Sequence, residues 1–102
     1  KIEKEGEGEA IGDNTPLLVN YTGRFTDGKE FDSSKGNPAR FMARGVVPGF
    51  GEGLKMLKKG GKATLYIPGK LGYGVNGQPA AGIGPNQMLV FDVEIVDVNP
   101  QN

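Results

Sequence analysis

The stretch LLVNYTGRFTDGKEFDS, residues 17–33, decides the fold class of this 102-residue chain. Residues 17–25 are rich in Leu, Val, Tyr, Thr and Phe, the side chains that favour a half-buried β-strand. The pair Asp27-Gly28 follows and is a hairpin turn signal, because glycine accepts a positive φ. A second strand is predicted to begin near Glu30 and to carry Phe31. The segment therefore predicts an antiparallel hairpin.

Further strands are predicted on both sides of this hairpin. Residues 39–42 form a short apolar run, and residues 62–67 and 89–95 alternate apolar and polar side chains with the period of a strand. Residues 2–8 are charged and Gly-rich, and both an edge strand and a solvated tail remain open for them. The chain is thus dominated by short strands joined by turns.

Residues 48–61 contain the one helix candidate. Phe50, Leu54 and Leu57 fall at i, i+4 and i+7 on one face, Pro48 stands where a helix would begin, and Gly60 is placed to cap its end. Several strands with a single short helix predict an α+β fold, in which an antiparallel sheet wraps over that helix. The length suits one domain over residues 1–102, with residues 1–10 as the possible edge strand or tail.

Composition excludes several classes of function. Twelve Lys and Arg balance twelve Asp and Glu, so no strong field is present to attract nucleic acid. The chain has no Cys and no His, which excludes thiol chemistry, His-based catalysis and metal sites built on those residues. No apolar run approaches the roughly 18 residues of a membrane span, so we expect no direct membrane insertion.

Three further sequence patterns suggest a function, but the residues around each one argue against it. Residues 72–77 match G-x-G-x-x-G, but no helix can begin among the Gly and Pro that follow, as a dinucleotide site requires. Residues 20–22 match an N-glycosylation acceptor, but they lie inside a predicted strand. Asp92 and Glu94 share the outer face of a strand, where solvated carboxylates are the usual outcome.

Residues 68–87 form a long loop with six Gly and three Pro. Loops of this length in compact domains are usually functional or disordered. Four apolar or aromatic side chains, at Leu71, Tyr73, Val75 and Ile83, argue against disorder and predict packing over a site.

The ordered motifs of the chain resemble one known family. Residues 19–34, VNYTGRFTDGKEFDSS, resemble the signature V-x-Y-T-G-x-x-x-D-G-x-x-F-D-S-S of FKBP-type peptidyl-prolyl cis/trans isomerases, and residues 47–54, VPGFGEGL, resemble the V-I-P-G-W-x-E-G-L segment. Residues 68–74, 83–86 and 89–94 complete the match in order, and the motifs are most similar to those of the bacterial, Mip-like branch. The resemblance implies a half-barrel around one helix, with an apolar cleft that holds a substrate proline.

The resemblance also implies the site. Its catalytic residues would be Tyr73, Asp32, Phe31 and Phe91, and its substrate-binding residues Tyr21, Val46, Val47, Phe50 and Ile83. In the family the backbone N–H at Val47 and the hydroxyl at Tyr73 hydrogen-bond to ligand carbonyls, and Phe50 occupies the floor. On the sequence alone, core packing stays open for Phe31 and Phe91, and Asp32 either caps a turn or orients Tyr21.

The expected activity is the acceleration of X-Pro bond rotation in unfolded or flexible polypeptides, without a cofactor or a metal ion. The alternative is a binding or chaperone module of the same fold with little turnover. It is favoured by Phe50, where the family commonly has Trp, and by Ala39 in the loop after the F-D-S-S segment, where many relatives carry Arg or a bulky apolar residue. The resemblance also implies tacrolimus and rapamycin as candidate small-molecule ligands of the cleft. We expect a periplasmic or cell-envelope location rather than a cytoplasmic one.

Overall fold

Six antiparallel strands form one sheet in the computed structural model, which describes residues 2–34 and 36–100. The strands are β1 (Ile2–Lys4), β2 (Leu17–Phe25), β3 (Glu30–Ser33), β4 (Ala39–Phe41), β5 (Lys62–Ile67) and β6 (Leu89–Val98). They lie in the order β1-β5-β6-β2-β3, and β4 pairs with the first residues of β2. Within the stretch left open between strand and tail, Ile2–Lys4 is an edge strand on β5.

The predicted hairpin between β2 and β3 is present. Gly28 has a φ of 91°, which a residue with a side chain rarely adopts. The turn is closed by the amide of Gly28, which donates to the carbonyl of Phe25 at 2.9 Å, and by the amide of Phe25, which donates to Lys29 at 2.9 Å. The Asp27 carboxylate accepts from the Lys29 amide at 2.8 Å, as Asp side chains do in turns.

The helix α1 covers Pro48–Lys55 and is shorter than predicted. Its C-cap is Met56, and Gly60 does not cap it. The chain leaves the helix early because the amide of Lys58 donates to Glu5 at 2.8 Å and the amide of Gly60 donates to Ile95 at 2.8 Å. Pairing with residues next to β1 and within β6 replaces the last predicted helical turn.

The hydrophobic core lies between α1 and the inner face of the sheet. Leu54 on the helix and Leu57 just after it are buried, with 0% and 1% of their surface exposed. They pack with side chains from the inner faces of the sheet strands, among them Leu17, Val19, Ala63, Ile67, Leu89, Val93 and Ile95. The α+β prediction of a sheet wrapped over one helix is confirmed.

The loop of residues 68–87 is built from three short 3-10 turns, Gly69–Leu71, Gly74–Asn76 and Pro79–Ala81. Ile83 is 2% exposed and anchors the loop in the core. Its amide and carbonyl pair with those of Gln78, at 3.1 and 2.9 Å. Val75 departs from the expected packing, because 71% of its surface is exposed and it points away from the body of the protein.

No helix within residues 2–34 and 36–100 has the length and apolar character needed to cross a bilayer.

Candidate active site

A cleft of about 500 Å³ opens between the inner face of the sheet and the first turn of α1. This volume lies in the range of sites that bury a small ligand. Strands β2, β3, β4 and β6, helix α1, the segment before α1 and the long loop all contribute to its walls. The lining residues are Tyr21, Phe31, Asp32, Phe41, Gly45, Val46, Val47, Phe50, Tyr73 and Phe91.

Phe50 is the centre of the aromatic cluster that forms the cleft. Its ring centroid lies 4.7 Å from that of Phe91, 5.7 Å from Phe41 and 6.1 Å from Tyr21, each in an edge-to-face arrangement. Such arrangements are the favoured geometry of aromatic pairs. Phe50 is only 4% exposed, so its backbone position on α1 and three surrounding rings fix it as the cleft floor.

Tyr21 and Asp32 form the polar contact of the sheet wall. The Tyr21 hydroxyl donates to Oδ2 of Asp32 at 3.0 Å, while Oδ1 of Asp32 accepts from the amide of Ser33 at 2.9 Å. The hydrogen bond to Tyr21 agrees with one of the two roles left open by the sequence, that Asp32 orients Tyr21. The Ser33 amide belongs to the next residue of the same strand, β3, so this second contact is not a turn cap. Burial, the hydrogen bond to Asp32 and the negative charge of Asp32 raise the pKa of Tyr21 to about 12.

Hydrogen-bond donors stand at the rim beside α1. Among the residues that the structure describes, the amide N–H of Val47 has no acceptor, whereas its carbonyl accepts from Phe50 and Gly51 at 3.0 Å each. Tyr73, which also lines the cleft, adopts φ −91° and ψ 0°, a sparsely populated conformation in which many active-site residues are found. The Val47 amide and the Tyr73 phenol thus add two donors to a cleft whose wall also carries the Tyr21 hydroxyl and the Asp32 carboxylate.

Eight of the nine predicted site residues line the cleft, which agrees with their assignment but does not test their individual roles. Ile83 does not: it is buried in the core and absent from the lining. The structure gives Ile83 the task of anchoring the loop that carries Tyr73, and its contact with substrate stays a prediction. Phe31 and Phe91 serve both as core-packing residues and as cleft walls.

Phe41 and Gly45 line the cleft but were not predicted from the sequence. The ring centroid of Phe41 lies 5.5 Å from that of Tyr21, and Phe41 forms part of the cleft wall. It belongs to a strand of three residues, which is too short for its alternation to show which side chain faces inward. Gly45 is the last residue of the 3-10 turn Ala43–Gly45, and a Cβ there would meet no atom within 4 Å, so the chain leaves the cleft open at this point.

The carboxylates of β6 lie on the other face of the sheet, as predicted. Asp92 accepts from Arg24 and from the Thr64 hydroxyl, the latter at 2.9 Å, and thereby ties together β2, β5 and β6. It is paired rather than simply solvated. Within the described residues, no group of three acidic, His or Cys side chains is placed to hold a metal ion.

Comparison with known proteins agrees with this geometry. Residues 7–96 match the sequence profile of the FKBP-type peptidyl-prolyl cis-trans isomerases. The FKBP-type isomerase FkpA of Escherichia coli K12 is 52% identical over 102 residues, covering 98% of this chain and 37% of that protein. A probable FKBP-type isomerase of Haemophilus influenzae is 46% identical over 104 residues, covering 100% of this chain and 43% of the relative.

Two solved structures show the same fold. The crystal structure of FkpA from Escherichia coli superposes with a TM-score of 0.91 at 52% identity, covering 98% of this chain and 47% of that one. A peptidyl-prolyl isomerase from Pseudomonas syringae superposes with a TM-score of 0.88 at 33% identity, covering 98% and 74%. The chain spans less than half the length of the curated relatives named above. By sequence profile, identity and fold, it belongs to the FKBP-type peptidyl-prolyl cis-trans isomerase family.

Proposed function

We propose that this chain accelerates the cis/trans isomerisation of X-Pro bonds in unfolded or flexible polypeptides, with the proline ring held against Phe50. The observation that carries the proposal is the cleft itself, which is lined by six aromatic rings, those of Tyr21, Phe31, Phe41, Phe50, Tyr73 and Phe91. A compact, uncharged ring such as that of proline fits such a space better than a charged or extended side chain does. Membership of the family supports the same activity.

The reaction needs neither a nucleophile nor a metal ion. Amide resonance holds the X-Pro bond planar, so that rotation meets a barrier of about 18–20 kcal/mol and takes tens to hundreds of seconds without a catalyst. The twisted transition state has lost this resonance and therefore separates less charge than the planar amide. An apolar cleft penalises the planar amide more than the twisted one, and this difference lowers the barrier.

The rim donors position the substrate. The amide of Val47, which has no acceptor among the described residues, is available to a carbonyl of the polypeptide next to proline. Tyr73 lines the same cleft, and its hydroxyl can donate to a second carbonyl. Two such hydrogen bonds hold the substrate polypeptide on either side of the X-Pro bond, so the bound substrate is already oriented for rotation about that bond.

Tyr21 and Asp32 maintain the shape of the sheet wall. The raised pKa of Tyr21 keeps its hydroxyl protonated well above neutral pH, so it remains a donor to Asp32. Because Asp32 accepts from both Tyr21 and Ser33, its carboxylate is held in one orientation at the cleft. This pair acts on the substrate by fixing the walls.

A protease-free measurement of proline isomerisation tests the proposal, for example exchange NMR on a short X-Pro peptide. The wild-type chain is expected to increase the exchange rate, and Tyr73→Phe is expected to lower kcat/KM several-fold by removing one rim donor. Tyr66→Phe is the matched control, because Tyr66 is 59% exposed and does not line the cleft. A wild-type chain without rate enhancement refutes the proposal.

The alternative function, a binding module with little turnover, is favoured by the floor residue. Phe50 lacks the indole N–H of the Trp that the family commonly carries there, so one donor at the floor is missing. Peptide binding without acceleration of exchange would establish this alternative. Acceleration at substoichiometric concentration of the chain would exclude it.

Two further expectations belong to this proposal. Tacrolimus and rapamycin are proposed as ligands of the same cleft, on the basis of family membership, and competition between either compound and an X-Pro peptide tests this. A periplasmic or cell-envelope location is proposed from the bacterial, Mip-like resemblance of the motifs. Fractionation of cells that express the full-length protein tests the location, and a purely cytoplasmic signal would contradict it.

A further inference from the structure

The inward-facing row of strand β2 is interrupted at one position. Leu17 and Val19 are fully buried, and Tyr21 and Phe25 pack against the core from the same face. Gly23 lies in this row, in the middle of the strand, and is itself buried. Glycine in a strand interior weakens the strand, and it often marks a place where another group approaches the backbone closely.

The approaching groups are two rings of the cleft. A Cβ atom placed on Gly23 would lie 2.8 Å from Cζ of Phe31 and 2.8 Å from Cε1 of Phe91, distances that real Cβ contacts do not show. Gly23 is paired across the strands with Asp32 on β3 and with Phe91 on β6. Both rings therefore lean over the backbone of Gly23 from its two neighbouring strands.

The rings meet in the space that the absent side chain leaves. The centroids of Phe31 and Phe91 lie 5.6 Å apart with an interplanar angle of 83°. Phe91 is 5% exposed and is held by Phe50 at 4.7 Å, whereas Phe31 is only partly buried and stacks on Phe25 at 4.9 Å. A side chain at position 23 would therefore move Phe31, the less enclosed ring.

We propose that Gly23 is a positioning residue for the cleft: its missing side chain creates the space in which Phe31 and Phe91 form one wall. Gly23 does not touch the substrate, and it acts through the two rings that do. The catalytic consequence rests on the proposed isomerase activity, whereas the placement of the rings does not.

The test compares Gly23→Ala with Gly12→Ala at a temperature where circular dichroism shows both to be folded. Gly12 is the matched control, because a Cβ there would meet only Oγ1 of Thr15, at an ordinary 3.6 Å. Gly23→Ala is expected to lower kcat/KM about tenfold, since small displacements of positioning groups have effects of this size or larger. Gly12→Ala is expected to keep the wild-type kcat/KM.

A double-mutant cycle separates ring displacement from general destabilisation. Phe31→Leu deletes Cζ and Cε1, the atoms that a methyl group at position 23 would meet on this ring. In the Phe31→Leu background the added Gly23→Ala is expected to cost less than about threefold in kcat/KM, because the Phe91 contact alone remains. Equal costs in both backgrounds, or a folded Gly23→Ala with wild-type kcat/KM, would overturn the proposal.

Two readouts cover the remaining outcomes. NOEs between the rings of Phe31 and Phe91 are expected in the wild type and lost in Gly23→Ala, and this result holds even if the wild-type chain proves to have no isomerase activity. Unchanged NOEs overturn the inference. If Gly23→Ala does not fold, recovery of folding in the Gly23→Ala/Phe31→Leu double variant supports the proposal. If the double variant also fails to fold, Gly23 is needed for the strand backbone and not for placing the rings, and the proposal is overturned.

Discussion

Raising the pH from 10 to 12 is expected to destabilise the protein through Tyr21. In the unfolded chain this tyrosine loses its proton near its ordinary pKa of 10.0, whereas the folded protein raises that pKa to about 12. Between these values the unfolded state binds fewer protons than the folded state, so the free energy of unfolding falls as the pH rises. Below pH 10 the stabilisation is fully present, and above about pH 12 it is lost.

The magnitude follows from the pKa difference. A pKa shift of one unit corresponds to about 1.36 kcal/mol. The rise in the pKa of Tyr21 from 10.0 to about 12 therefore sets an upper limit of about 2.7 kcal/mol on its contribution to the free energy of unfolding. Tyr21 lies in the wall of an open cleft, where solvent screens part of the interaction, and we expect about 1 kcal/mol. Burial is the largest cause of the shift, followed by the hydrogen bond to Asp32 and then by its negative charge.

Urea denaturation at several pH values between 9 and 12 measures this contribution. Subtracting the Tyr21→Phe variant removes the titration of the other tyrosines and of the lysines, and leaves the share of Tyr21. In Asp32→Asn this share is expected to shrink without vanishing, because burial persists. If the wild type and Tyr21→Phe lose the same free energy of unfolding between pH 10 and 12, the interpretation of the Tyr21–Asp32 contact is wrong.

Three other substitutions probe the packing that supports the cleft. Leu57→Ala, just beyond α1, is expected to cost about 2–5 kcal/mol in urea denaturation because Leu57 is 1% exposed, and a loss below about 1 kcal/mol would remove it from the core. Gly53→Ala places a Cβ 2.6 Å from Cδ2 of Leu65. We expect this overpacking to outweigh the helix preference of alanine and to lower the free energy of unfolding by about 1 kcal/mol. A stabilised variant would contradict the close approach. Arg24→Ala breaks the ion pair with Asp92, whose two side chains are 35% and 46% exposed. We expect the free energy of unfolding to fall by under about 1 kcal/mol, and by less in high salt. A fall of more than about 2 kcal/mol would show that the pair is more than a surface contact.

Local patterns predicted the sheet well because its determinants are local. The alternation in residues 62–67 and 89–95 and the Asp27-Gly28 turn depend on neighbouring residues, and the strands and the hairpin appear at those places. The residues that line the cleft came from ordered motifs at family spacing, and not from periodicity. That is why eight residues that are distant in sequence could be assigned together.

The predictions from the sequence differ from the structure where contacts form between distant segments of the chain. The helix ends at Lys55 because Lys58 and Gly60 find carbonyl partners in Glu5 and Ile95, which no pattern in residues 48–61 reveals. Phe41 reaches the cleft because β4 pairs with the first residues of β2, a register that three residues are too few to specify. Ile83 is buried in the core, where it anchors the loop, and its predicted contact with the substrate stays a prediction.

The central claim is that an aromatic floor at Phe50 accelerates rotation about X-Pro bonds. Exchange NMR on an X-Pro peptide with Phe50→Leu tests it most directly, because leucine keeps much of the buried volume while removing the ring. We predict that the wild-type chain accelerates exchange and that folded Phe50→Leu loses at least about threefold in kcat/KM, the rate equivalent of one aromatic contact. Phe25→Leu, which makes the same change outside the cleft lining, should lose less. Wild-type kcat/KM in folded Phe50→Leu would contradict the account.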